Sequence, residues 1–423
     1  MLTIALMASG AMGASAAQLR TAEAPRVFRL DGRRLAETKR RLAAGDQSLS
    51  AALSRLETDA RAALKAGPFS VVDKGVLPPG GDKHDYMSQA PYFWPNPDTA
   101  NHLPYVRRDG ERNPEIDKIP DHQSFGKLMS VTETLALFYY FKGDEAFAAK
   151  AAQLLRVWFL DPATRMNPHL NYGQAIPGIN TGRGIGIIET SGLPKVVDAV
   201  GLLAGSKAWT KADQQGLESW FEKYLQWLLE SKHGRDEAAQ KNNHGTYYDV
   251  QVASFAFFTG KRELAARILH ESIQRRVAEQ IEPDGRQPLE LARTKGWSYS
   301  VGNLSGFFAA AALAENTGTD LWNYGTPDGR TIRRALDWLL PFATGEKKWP
   351  YQQITKWTPA ELAPLLRQAS IQYHDRKYEE AIAGMSGVGP EDRLNLLYPQ
   401  DATERRREQN LFRVPRFAFR VAK

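Results

Sequence analysis

The 423-residue sequence predicts an all-α protein, an (α/α) toroid or incomplete barrel of about six to seven helical hairpins. Two observations predict it. Apolar residues recur at helical spacing along most of the chain, while β-strand alternation is scarce. The helical stretches also come in pairs around a glycine, repeated at long and irregular intervals rather than at a solenoid's fixed period. A plain bundle of this length would need very long helices.

Residues 1–17 stand apart. Leu2 to Ala17 is apolar and uncharged, and Ala14-Ser15-Ala16 has the small-x-small form of a signal peptidase site. They are expected to be a cleaved signal peptide, although no Lys or Arg precedes the apolar run. Residues 18–423 are expected to form one catalytic domain, since no linker interrupts them. With 42% hydrophobic residues, the chain can build one large core. No internal apolar run approaches the roughly 18 residues that span a membrane. The absence of cysteine excludes disulfides and thiol chemistry and fits an exported, periplasmic protein, where stray thiols would oxidise. The oligomeric state is left open.

The first clear hairpin carries Leu135, Phe138 and Tyr139, then Gly143-Asp144, then Phe147, Ala151, Leu154, Leu155 and Trp158. Gly143 reads as the C-cap and Asp144 as the next N-cap. Val200 to Gly205 precedes a helix with Leu217, Trp220, Phe221, Tyr224 and Leu228. Phe257 to Gly260 precedes Leu264 to Leu269, and Ala314 to Gly318 precedes a further helix at Thr319 to Trp322.

Two regions break this rhythm. Residues 66–124 contain Gly81-Asp82-Lys83-His84-Asp85-Tyr86 and Pro91-Tyr92-Phe93-Trp94-Pro95. Residues 161–192 contain Asn167-Pro168-His169 and Asn180-Thr181-Gly182-Arg183-Gly184-Ile185-Gly186, with Glu189 beyond. Long irregular segments inside a compact domain are functional or disordered, and these are too aromatic for disorder. Tyr92 and Trp94 are candidate sugar-stacking residues. Asn180 and Arg183 are candidates to bind hydroxyls or carboxylates. The glycines around Arg183 only superficially suggest a phosphate loop, because no strand precedes them and no Gly-Lys-Ser/Thr follows. The histidines show no metal-ligand spacing, so no metal or other cofactor is expected. Asp82, His84 and Asp85 read as salt-bridged scaffolding.

Asn242-Asn243-His244-Gly245-Thr246-Tyr247-Tyr248-Asp249 and Glu290-Leu291-Ala292-Arg293-Thr294-Lys295-Gly296-Trp297-Ser298-Tyr299 carry the chemistry. Together they supply an amide, an imidazole, a guanidinium and a phenol. This set suits elimination from a 4-linked uronic acid. A carboxylate beside C5 must be quenched before its proton becomes acidic, and Asn243 and Arg293 can do so. His244 and Tyr299 can then move protons. Glu290 is a further candidate to bind substrate, and Tyr247 and Tyr248 read as helix packing. The net charge of +7 suits an acidic polysaccharide partner. No long Lys/Arg run or nucleic-acid motif is present, so nucleic acid is not expected.

Lys241-Asn242-Asn243-His244-Gly245-Thr246-Tyr247-Tyr248-Asp249-Val250-Gln251 resembles the Asn-Asn-His signature of the alginate lyase superfamily of α/α toroid polysaccharide lyases. Glu290 to Thr294, with Trp297 to Ser300, resembles its arginine–tyrosine segment. The pattern is closest to polysaccharide lyase family 38, which includes alginate and glucuronan lyases. The resemblance implies Asn243 and Arg293 as carboxylate neutralisers and His244 and Tyr299 as the proton-transfer pair. It implies β-elimination on mannuronate-rich alginate or glucuronan, leaving a C4–C5 unsaturated end. Two other functions fit the same fold: a glycoside hydrolase using Glu189 and Glu290, and a non-catalytic binder of acidic glycan.

Overall fold

The computed structural model describes residues 24–400. The expected signal peptide, residues 1–17, lies outside the described residues. Sixteen α-helices occur among the described residues: α1 (Gly32–Ala43), α2 (Ser50–Ala63), α3 (Asp121–Lys142), α4 (Glu145–Leu155), α5 (Leu193–Leu202), α6 (Lys211–Glu230), α7 (Lys232–Ala238), α8 (Asn243–Phe258), α9 (Arg262–Arg267), α10 (Ile273–Gln280), α11 (Pro288–Leu291), α12 (Gly296–Ala314), α13 (Ile332–Ala343), α14 (Ala363–Tyr373), α15 (Lys377–Ala383) and α16 (Leu394–Leu397).

The α3–α4 hairpin forms where the residues direct it. Gly143 ends α3 in the left-handed region at φ 73°, and the Asp144 side chain accepts from Ala146 N to start α4. Phe138 and Phe147 then meet edge to face across the turn, 4.5 Å apart. Gly205 and Gly260 turn with positive φ in the same way. The fourth expected pair differs. Gly318 does turn, but no helix follows at Thr319; the chain runs irregularly until α13 begins at Ile332. Trp322 is buried from that loop, with Nε1 donating to Glu315, so its apolar character signals packing and not a helix.

The helices form an (α/α) toroid arranged in two layers. Nearly every residue of α8 is buried and no residue of α12 is exposed, as expected of inner helices, whereas α1 and α13 bury one face. Contacts run in sequence around the ring, from α2 to α3, α5, α8, α12, α13 and α14. The last described helix returns to the first two: α16 packs on α1 and α2, and Thr38 donates to the Leu396 carbonyl.

The irregular regions carry the strands. β1 (Met87–Gln89) pairs in parallel with β4 (Tyr172–Ala175), joining the two regions; β2 (Phe93–Trp94) pairs antiparallel with β3 (Val106–Arg107). The Asp82 and Asp85 carboxylates grip the Asn167 amide, and Asp85 meets His169 Nε2 at 3.1 Å. This cluster therefore ties one irregular region to the other.

Candidate active site

A cleft of about 600 Å³ opens where the N-terminal ends of α8 and α12 meet the two irregular regions. Asn242, Asn243 and His244 line it from the cap and first turn of α8, and Arg293 and Tyr299 from either side of the start of α12. Tyr92, Phe93 and Arg107 reach it from the first irregular region, and Gln174 and Arg183 from the second. Two segments far apart in sequence thus share one site because α8 packs against α12.

The Asn242 side chain caps α8, accepting from His244 N, and so sets the register of the next two residues. Asn243 is held from behind. Its backbone N–H and its Nδ2 each donate to one oxygen of Glu290, both at 2.7 Å. Glu290 is only 1% exposed. It was expected to bind substrate, but both its oxygens are taken by Asn243. It is a positioning group beneath the cleft, and burial pushes its pKa up against the pull of those hydrogen bonds.

His244 Nδ1 lies 2.9 Å from Oε1 of Glu237, which is fully buried. A carboxylate there requires Nδ1 to carry the hydrogen, so the neutral imidazole has its lone pair on Nε2. Burial raises the pKa of Glu237, while its hydrogen bond to His244 opposes the rise.

Arg293 has a partner that the sequence did not reveal. Its Nε and Nη2 form a two-pronged bridge to Asp109, with the shortest contact at 2.7 Å. Nη2 also donates to Tyr299 Oη at 2.9 Å, and the guanidinium lies over the Tyr299 ring, 4.0 Å from its centroid. Tyr299 in turn donates to Tyr92 Oη at 3.0 Å. Burial, above all, and the bond to Tyr92 raise the Tyr299 pKa well above the ordinary phenol range; Arg293 works against them. The free protein therefore holds Tyr299 as a neutral phenol, with a cation against its oxygen.

The remaining expectations divide. Tyr92 and Arg183 line the cleft. Trp94 is not among the residues lining it; its Nε1 donates to the Glu111 carbonyl and Arg108 lies over its ring. Asn180 turns inward on its own loop, where Oδ1 accepts from Ile176 N. The glycines beside Arg183 serve close packing. A Cβ on Gly182 would meet Asn171 O at 2.0 Å, and one on Gly186 would meet the Gly173 backbone at 2.7 Å. Tyr247 and Tyr248 pack in the helix layers, donating to the Gly302 and Leu228 carbonyls.

Sequence reasoning missed Asp109, Glu237, Gln174 and Arg107. Glu237 lies at the end of α7, seven residues before His244, and that nearness in sequence was a usable signal. Asp109 lies 184 residues from Arg293 and gave none.

The model of the alginate lyase family matches residues 70–349, which include every cleft residue named above. The chain belongs to the alginate lyase family. It is 40% identical to an alginate lyase from Bacteroides ovatus of known crystal structure, with a TM-score of 0.85, covering 89% of this chain and 100% of that one. Alginate lyase A1-III from Sphingomonas species A1 shares the fold at 15% identity, with a TM-score of 0.57, covering 88% of this chain and 96% of that one. A variant of A1-III complexed with a tetrasaccharide aligns with a TM-score of 0.60, again at 15% identity. No curated protein matches the chain.

Proposed function

We propose that this protein is a polysaccharide lyase that cleaves a 4-linked uronic acid polymer, mannuronate-rich alginate or glucuronan, by β-elimination. One observation carries the reading. Asn243, His244, Arg293 and Tyr299 line a single cleft, and each is fixed by a buried or bridging carboxylate or a phenol behind it.

The chemistry follows from the donors left over. Asn243 keeps one amide hydrogen, and Arg293 keeps Nη1, for the carboxylate at C5. Quenching that charge stabilises the carbanion-like transition state. In mannuronate and glucuronate, H5 and O4 lie on the same face of the ring, so one group can serve both. Tyr299 must first lose its own proton, and His244 Nε2 is an acceptor in the same cleft. The phenolate, held by Arg293, takes H5; the C5–H electron pair forms the C4–C5 double bond as O4 leaves; and Tyr299 returns the proton to O4.

The hydrolase reading finds less support. Glu290 is occupied by Asn243, and Glu189 accepts from Tyr86 and Ser88. Neither is among the residues lining the cleft. The deciding experiment incubates purified protein with polymannuronate, polyguluronate, glucuronan and glycosaminoglycans. Ultraviolet absorbance from unsaturated ends, on mannuronate or glucuronate polymers, supports the lyase. New reducing ends without that absorbance would mean hydrolysis. Binding without cleavage would mean a non-catalytic receptor.

A further inference from the structure

We infer that Arg183, with Arg107 beside it, is a second carboxylate receptor of the cleft, holding a uronate unit next to the one that is cleaved. This rests on the polyuronate reading above and deepens it.

The inference starts from an unbalanced charge. A buried cation is ordinarily paired, because leaving it alone in a poorly polarisable site is costly. The deeply buried arginines obey this. Arg276 is 2% exposed and bridges Asp249, and Arg367 is 4% exposed and bridges Glu379. Arg183 does not. It is partly buried and lines the cleft, yet among the described residues it forms no salt bridge. Its one side-chain hydrogen bond runs from Nη2 to the neutral Gln174 Oε1, at 2.8 Å. Its Nε is buried and has no hydrogen-bond partner.

The surroundings relieve the charge only in part: the Glu189 and Glu237 carboxylates favour it, but neither bridges Arg183. Burial foremost, and then the like charge of Arg107, push the Arg183 pKa down to about 10. Arg107 is half exposed and bridges Asp109, the carboxylate that already serves Arg293. Two guanidinium groups therefore meet at the cleft, and among the described residues only that of Arg107 has a carboxylate in salt-bridge contact.

The site is also held in place. The Arg183 guanidinium lies over the Phe93 ring, 5.1 Å from its centroid. Among the described residues, Gln174 is one of three non-glycine residues with positive φ, at 50°, a strained conformation that persists where the surroundings enforce it. Its backbone N–H donates to Ser88 Oγ at 2.8 Å, which locks the acceptor that aims Arg183. A planar anion with two oxygens suits such a guanidinium, and uronate carboxylates are such anions. Asn243 and Arg293 are committed to the reacting unit, so the carboxylate left for Arg183 is that of a neighbour.

The test separates contact from folding and from turnover. Steady-state kinetics on mannuronate oligosaccharides compare wild type with Arg183→Gln, Arg183→Lys and Arg107→Gln. Binding is measured by calorimetry in a Tyr299→Phe background, with the same oligosaccharides and with carboxyl-reduced, neutral ones. Arg183→Gln should raise KM by about tenfold or more, as for one lost charge-assisted contact, and kcat should fall by less. Arg183→Lys should recover part of the loss. The effect on binding should vanish for the neutral oligosaccharide. Because Arg107 is half exposed, its variant tests the pair even if Arg183→Gln fails to fold. Cleavage by wild type with unchanged KM in Arg183→Gln and Arg107→Gln would overturn the receptor and leave the lyase standing. Equal losses on charged and neutral oligosaccharides would also overturn it. Arg183-dependent binding of charged oligosaccharide without any cleavage would sustain the receptor and sink the lyase. No binding and no cleavage of any uronan would sink both.

Discussion

Tyr299 sits between two influences of opposite sign, and its variants should separate them. Burial and the Tyr92 hydroxyl favour the neutral phenol, while Arg293 favours the phenolate. Tyr92→Phe removes the acceptor of the Tyr299 proton and so removes stabilisation of the neutral form. The Tyr299 titration should then move down towards the ordinary phenol range. Ring-carbon NMR of labelled tyrosine can follow this, with Tyr299→Phe assigning the signal. A titration that stays in place would mean that burial alone sets it. Tyr299→Phe itself should lower kcat by roughly a hundredfold or more with little change in binding, as for a lost proton-transfer group. Near wild-type turnover would remove Tyr299 from the mechanism. Glu290 makes a different prediction. Glu290→Ala leaves two buried Asn243 donors without acceptors, at about 1–3 kcal/mol each. Denaturant unfolding should show that loss, together with a fall in kcat as the amide loses its aim. Unchanged stability and turnover would mean that Asn243 needs no support from Glu290.

The elements explain which parts of the site were legible. Asn243 and His244 stand at the start of α8, and Arg293 and Tyr299 bracket the start of α12. Such residues are conspicuous because polar groups rarely open an inner helix without a task. The hairpin at Gly143-Asp144 was legible for a related reason, since capping is decided within a few residues. Pairings between elements were not. Whether Arg293 met Glu290 or Asp109 depended on where residues 106–109 fold, which no local pattern records. Trp94 looked like a stacking surface, yet β2 pairs with β3 and Trp94 is not in the cleft lining, which Phe93 joins instead. The Arg183 loop makes the element-scale prediction. Gly186→Ala would place a Cβ 2.7 Å from the Gly173 backbone, where no flexible side chain can yield. We expect a destabilisation of about 1–3 kcal/mol from this overpacking. KM should rise as well, because the β4 backbone that carries Gln174 must shift. Wild-type stability and KM together would show that the loop relaxes freely and does not fix Arg183.

At the scale of the whole molecule, a net charge of +7 should draw a polyanion towards the cleft before any contact forms. This long-range attraction and the short contacts in the site respond differently to salt. Added salt shortens the reach of the field to about 10 Å at 0.1 M ionic strength, whereas partly buried contacts are screened much less. kcat/KM on polyuronate should therefore fall as ionic strength rises, with the loss mainly in KM. Arg293→Lys tests the other side of the argument. It preserves the net charge, and with it the field, but a lysine cannot bridge Asp109 through two nitrogens while also donating to Tyr299. Its turnover should stay low even at low salt, where attraction is strongest. Steady-state kinetics of both proteins across a salt series would show it. Restoration of Arg293→Lys to wild-type rates at low salt would make Arg293 one more charge of the basic surface, not the group that holds Tyr299.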